Sequence, residues 1–161
     1  MPEAPRFRIA PAATPADLAA VRLLFQAYAD GLGVDLGYQD FPTELSTLPG
    51  KYAPPAGALL LARDAGGTPI GCVAIRPAGA DGGCEMKRLY VAPAARGLGL
   101  GRALLDAVLG EAARLGYREI RLDTLPTMTE AIAMYRRHGF APIAAYYEGA
   151  PAGTLFLARA L

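Results

Sequence analysis

The feature that most constrains this chain is a short run, Arg96-Gly97-Leu98-Gly99-Leu100-Gly101, set between a strand-like and a helix-like segment. Before it, Cys84 to Val91 reads as a strand. After it, Leu104, Leu105, Val108, Ala112 and Leu115 recur on one helical face, and Gly116 is the stop. A turn placed this way aims backbone N–H groups and the positive end of a helix dipole at one point, and glycine lets that backbone close on an anion. Gly97, Gly99 and Gly101 are more glycine than a helix cap requires. Arg96 and Arg102 flank the turn and can add charge-assisted bonds. The expected ligand therefore carries phosphate.

Two phosphate motifs fit poorly. A P-loop is excluded because no Gly-Lys-Ser/Thr follows the glycines. A dinucleotide fold asks for an acid after the next strand, and Asp123 supplies it. But the third glycine of G-x-G-x-x-G would fall on Arg102, and Ala92 to Arg96 separate the strand from Gly97.

The rest of the chain alternates between the two periodicities. Residues Arg6 to Ile9 form a first strand. Thr14-Pro15-Ala16-Asp17 then opens a helix, with a capping hydroxyl, a proline at the first turn and an acid at the positive end. That helix runs to about Asp30, before Gly31 and Gly33. Val34 to Gly57 is irregular, with a short helix at Pro42 to Leu48. Ala58–Arg63, Ile70–Ile75 and Cys84–Val91 make a three-stranded meander with turns at Asp64–Thr68 and Gly79–Gly83. Past the glycine turn and its helix come a strand at Tyr117–Thr124 and a helix opened by the capping box Thr127-Met128-Thr129-Glu130. Strands at Phe140–Tyr147 and Thr154–Ala160 finish the chain. The order is one α/β domain, residues 1–161, with a mixed sheet.

Composition narrows the function. Sixteen Lys+Arg balance fifteen Asp+Glu, which lacks the basic excess of a nucleic-acid binder. Two cysteines and one histidine fall short of the four ligands of a structural zinc site, so no metal is expected. The N-terminus lacks a signal-peptide pattern, and no stretch of ~18 apolar residues occurs. The expectation is a cytoplasmic protein with no membrane partner and with Cys72 and Cys84 reduced and buried. His138 beside Gly139 complements the negative end of its helix.

Arg96-Gly97-Leu98-Gly99-Leu100-Gly101 resembles the Arg/Gln-x-x-Gly-x-Gly signature of the GNAT superfamily, the acyl-CoA-dependent N-acyltransferases. Lys87-Arg88-Leu89-Tyr90-Val91-Ala92-Pro93 looks like the family's fourth strand, and Ala131 to Phe140 resembles its A-x-x-x-Y-x-x-x-G-F segment. Both motifs lie in the family's order and spacing. The resemblance implies a mixed, mostly antiparallel sheet of six to seven strands flanked by about four helices. It implies acetyl-CoA as cosubstrate, with the diphosphate held by the amides of Gly97, Leu98, Gly99, Leu100, Gly101 and Arg102. Backbone groups at Leu89, Tyr90 and Val91, beside a bulge, would pair with the pantetheine arm, and one amide would stabilise the carbonyl oxyanion. Thr129 stands where the family often has a cofactor-contacting Asn, and its hydroxyl can still hydrogen-bond.

The same resemblance makes Tyr135 the acid that protonates the leaving thiolate and Glu85 the candidate general base. For Glu85, a plain ion pair with Lys87 or Arg121 is the competing expectation. Acetyl transfer to a primary amine of a small molecule or peptide follows, by direct attack in a ternary complex. A non-catalytic acyl-CoA-binding module is the alternative. Candidates for the acceptor pocket are Tyr28, Tyr38, Asp40, Phe41, Tyr146, Tyr147 and Glu148, with Asp30 and Asp35 as further acids. A homodimer through the sheet or the C-terminal strands is compatible with the sequence.

Overall fold

The computed structural model describes residues 6–79 and 82–161, with every side chain among them except that of Tyr38. The centre of the Gly79–Gly83 turn lies outside the described residues. Strands β1 (Phe7–Pro11), β2 (Ala58–Asp64), β3 (Pro69–Ala78), β4 (Gly83–Val91), β5 (Glu119–Thr124), β6 (Ala141–Pro142) and β7 (Leu155–Ala160) form one sheet in the order β1-β2-β3-β4-β5-β7-β6. Every pairing is antiparallel except β4 with β5. Four α-helices accompany it among the described residues: α1 (Pro15–Leu32), α2 (Phe41–Ser46), α3 (Leu100–Arg114) and α4 (Thr129–Arg137).

The apolar run of β2 follows from burial on both faces. Leu59 and Leu61 pack with Val21, Leu24 and Phe25 of α1, while Leu60 and Ala62 pack with Leu104, Leu105 and Val108 of α3. The start of α1 forms as the sequence dictates. The Thr14 hydroxyl accepts from the Asp17 amide at 3.1 Å, and the Asp17 carboxylate accepts from the Thr14 amide at 3.2 Å.

Two local expectations fail. The last helix begins at Thr129 with Met128 as its cap and no side-chain capping bond, so Thr127 caps nothing. The sixth strand is two residues long, where the sequence predicts a strand over Phe140 to Tyr147. The rings of Tyr146 and Tyr147 turn onto Phe156, with centroids 5.0 and 5.3 Å away.

Two irregularities in β4 place the site. The β3 partner of Tyr90 is Cys72 and that of Lys87 is Ala74, so Val73 alone faces Arg88 and Leu89. Arg88 takes the extra position with φ 62°, a left-handed conformation that costs a non-glycine residue about 1–2 kcal/mol. The bulge reverses side-chain parity. Cys84 and Met86 pack toward α3 before it, and Leu89 and Val91 do so after it. Meanwhile β4 pairs with β5 only at Gly83–Glu119, Cys84–Ile120 and Glu85–Arg121. Beyond that point the strands separate, opening the sheet at their carboxyl ends, where α/β sheets bind ligands.

Candidate active site

A cleft of about 760 Å³ lies over this gap, within the usual range for ligand pockets. Leu89, Tyr90 and Val91 line one wall, Arg96, Gly97, Gly99, Leu100 and Gly101 the end, and Thr129 and Tyr135 the wall opposite. Three of the sequence's candidates do not line it: Leu98, Arg102 and Glu85. The Leu98 side chain is exposed, so only its amide belongs to the turn.

The turn has the geometry of an anion cradle. Gly97 and Gly99 adopt φ 85° and 79°, and a Cβ on either would meet nothing within 4 Å. The glycines therefore serve conformation and open approach rather than packing. Gly99 caps α3 with no side-chain bond, and no amide from 97 to 102 donates to a backbone carbonyl among the described residues. A group of unpartnered donors at the end of a fifteen-residue helix matches a diphosphate. Arg96 is held beside the turn by Nε donating to the Val91 carbonyl at 3.2 Å.

Tyr135 sits on α4 with its ring 5.7 Å from Phe140, which explains why Gly139-Phe140 follows it. The residue is buried, and its hydroxyl donates to no described residue, leaving that proton available. Desolvation is the main cause that pushes its pKa well above the ordinary phenol, with Tyr28 and Asp123 adding to the shift, so the proton stays on at working pH.

Glu85 is placed otherwise. Its carboxylate is buried and takes Arg76 Nε at 3.0 Å, the Tyr146 hydroxyl at 2.7 Å and Lys87 Nζ at 3.7 Å. Arg121, the other partner considered for it, lies over the Tyr146 ring at 4.0 Å.

A model of the acetyltransferase (GNAT) family matches residues 22–140. The chain belongs to the GNAT acetyltransferase family. An uncharacterized N-acetyltransferase of Schizosaccharomyces pombe is 44% identical over 134 residues, covering 83% of this chain and 82% of the relative. A GNAT-family acetyltransferase structure from Staphylococcus aureus superposes with a TM-score of 0.79 at 17% identity, over 96% of this chain and 98% of that one. A phosphinothricin acetyltransferase from Sinorhizobium meliloti, solved in complex with AcCoA, gives 0.72 at 23% identity, over 97% and 89%. Both structures share the fold of this chain. The activity class is acyl transfer by an enzyme, and the family's acyl donor is acetyl-CoA.

This GNAT acetyltransferase also holds a polar network that sequence reading passed over. A smaller cavity of about 30 Å³ shares Tyr28, Leu32, Leu89, Met128 and Tyr135 with the cleft. Its other side is polar, with Gln39, Lys87, Arg88 and Asp123. Arg88 donates Nε and Nη2 to Glu44 at 2.9 and 3.0 Å, and its guanidinium lies over the Phe41 and Tyr28 rings at 5.2 and 5.8 Å. Burial pushes the Lys87 ammonium below its ordinary value, while Glu85 and Asp123 pull the other way. The one available signal was a Lys-Arg pair inside an apolar strand, because buried charges demand partners.

Of the acceptor candidates, Tyr28 lines both cavities, while Tyr146 and Tyr147 join the buried polar network. Phe41 packs under Arg88, and Asp40 caps α2. The Tyr38 side chain lies outside the described residues. Among the described residues no group of His, Cys, Asp and Glu is placed to hold a metal, and no helix is long and apolar enough to cross a membrane.

Proposed function

We propose that the protein transfers the acetyl group of acetyl-CoA to a primary amine of a small molecule or peptide, by direct attack with both substrates bound. One observation carries this reading: the unpartnered amides of the glycine turn and the Tyr135 hydroxyl line the same cleft, with the bulged edge of β4 between them. The residues fit the cosubstrate. The turn amides and Arg96 would hold its diphosphate, and the edge of Leu89 to Val91, left unpaired by the β4–β5 separation, would pair with the pantetheine amides. Acetyl-CoA supplies the activated acyl group.

Three roles then fall to this chain. A β4 backbone amide beside the bulge donates to the carbonyl oxygen as charge develops there. The Tyr135 hydroxyl gives its proton to the departing sulfur. The apolar walls that raise the phenol also make a bare thiolate unfavourable beside it. The acceptor arrives from the side of the smaller cavity as an ammonium and must lose a proton before its lone pair can attack. Asp123, which lines that cavity with Tyr135, takes this proton. Glu85, turned away by the bulge, is a positioning residue that holds Lys87.

Steady-state release of CoA thiol against a panel of amines tests the reading. Intersecting double-reciprocal lines for acetyl-CoA and amine are expected. Parallel lines, the mark of an acyl-enzyme, would overturn direct attack.

A further inference from the structure

The carboxamide of Gln39 lies at the junction of the polar network, and its two ends face opposite chemistry. Its oxygen accepts from Lys87 Nζ at 2.9 Å and Arg88 Nη1 at 2.7 Å. Its nitrogen donates to Asp123 Oδ2 at 3.2 Å and lies 3.5 Å from the Tyr147 hydroxyl, which itself donates to Asp123. Two cations thus address one oxygen, and a carboxylate with a hydroxyl addresses one nitrogen. Gln39 reaches this place from the short 3-10 turn Leu36–Gln39, part of the irregular segment between α1 and β2.

We propose that the Gln39 carboxamide holds the seat of the acceptor's head group, and that this head group is a free α-amino acid. The inference rests on the acetyltransferase reading above. An α-amino acid carries the same pair of atoms as the carboxamide, a nitrogen and an oxygen, one carbon further apart. Its ammonium takes the place of the amide nitrogen on Asp123 and Tyr147, and its carboxylate takes the place of the amide oxygen on Lys87 and Arg88. Two cationic donors converging on one oxygen suit a charged carboxylate better than a neutral carbonyl. The seat touches the cleft through Tyr135 and Leu89, so an amine held on Asp123 stands beside the acid.

Space supports the same conclusion. A cavity of about 30 Å³ has room for roughly one water and no acceptor, so something must leave it. Gln39 also lines a neighbouring pocket of about 130 Å³ with Thr43, Glu44, Tyr52 and Arg76. Withdrawing its side chain joins the two, and the remainder of the amino acid extends into the polar pocket.

The test uses the twenty L-α-amino acids, each beside its decarboxylated amine and its α-amino amide, with CoA thiol release and thermal shift as readouts. The inference expects at least one amino acid to exceed its amine by about 100-fold in kcat/KM, because the amine has no acceptor for the Lys87 and Arg88 donors that now meet the Gln39 oxygen. Gln39→Ala is expected to lower KM for that amino acid severalfold, by removing an internal competitor, with KM for acetyl-CoA unchanged. Lys87→Met is expected to erase the preference for acid over amine. Equal use of acids and amines overturns the inference, as does preference for the amides, which points to peptide N-termini. A rise in amino-acid KM in Gln39→Ala overturns it too. Failure of acetyl-CoA itself to shift the melting temperature overturns the acetyltransferase reading along with it.

Discussion

Glu44 grips Arg88 by both carboxylate oxygens, at 2.9 and 3.0 Å, and thereby ties α2 to the one left-handed residue of β4. The irregular segment between α1 and β2 is thus fastened to the bulge that shapes the cleft. A conformation costing about 1–2 kcal/mol persists because its surroundings over-determine it.

Removing this grip has a calculable effect. The Arg88 side chain is 2% exposed, so Glu44→Ala leaves a buried charge without its counter-ion. Such losses cost about 3–5 kcal/mol, which urea denaturation of the variant against wild type should show. A cost under about 1 kcal/mol would mean that Gln39 and water replace the carboxylate.

Tyr135→Phe removes a hydroxyl that bonds no described residue, so stability should change little. Turnover should fall about 100-fold, the lower range for a general acid, with KM for acetyl-CoA nearly constant. Unchanged kcat would assign leaving-group protonation to water.

The cap of α1 sets an acid limb of stability. Hydrogen bonds from Arg63 and from the Ala13 and Thr14 amides hold the Asp17 carboxyl well below its ordinary 3.8. With the folded value depressed, the contribution is complete above pH 3.8 and drains away as pH falls below it. Asp17→Ala should cost about 1 kcal/mol at neutral pH, mostly from the cap, since the partly solvated ion pair with Arg63 adds less. The gap between variant and wild type in thermal melts should close in strong acid.

Neither cysteine should act in catalysis. Both are free, buried and absent from the cleft. Desolvation pushes the Cys84 thiol up to about 12 and the Cys72 thiol higher, so neither forms the thiolate that reacts. Iodoacetamide should leave native activity intact while labelling unfolded protein at both sites.

The fold was legible because its signals are local. Thr14-Pro15-Ala16-Asp17 carries its whole capping signal within four residues, and glycines at φ near 80° mark the turn before α3. The β6 region was not legible. Tyr146 and Tyr147 are strand-favouring aromatics, but their hydroxyls reach Glu85 and Asp123 and their rings cover Phe156, and these tertiary contacts outweigh propensity. Most of the cleft-lining candidates came from two contiguous motifs. The polar network joins Gln39, Lys87, Arg88, Asp123 and Tyr147, which only the separation of β4 from β5 brings together. Glu85 shows the same limit. One bulged residue at Arg88 puts the Glu85 side chain on the opposite face of β4 from Leu89, and only the structure locates that bulge.

The most direct test is calorimetric binding of acetyl-CoA, with NAD as control, to wild type and to Gly101→Glu. Gly101 lies in the first turn of α3 and lines the cleft, and a Cβ there meets only Val91 Cγ2 at 3.8 Å. A carboxylate at this end of a helix favours the dipole, so the unliganded variant should melt at or slightly above wild type. The account predicts acetyl-CoA binding to wild type, no NAD binding, and at least about a 100-fold loss of acetyl-CoA affinity in the variant as two negative groups compete for one cradle. Equal acetyl-CoA affinity in the two proteins would contradict the assignment of the turn.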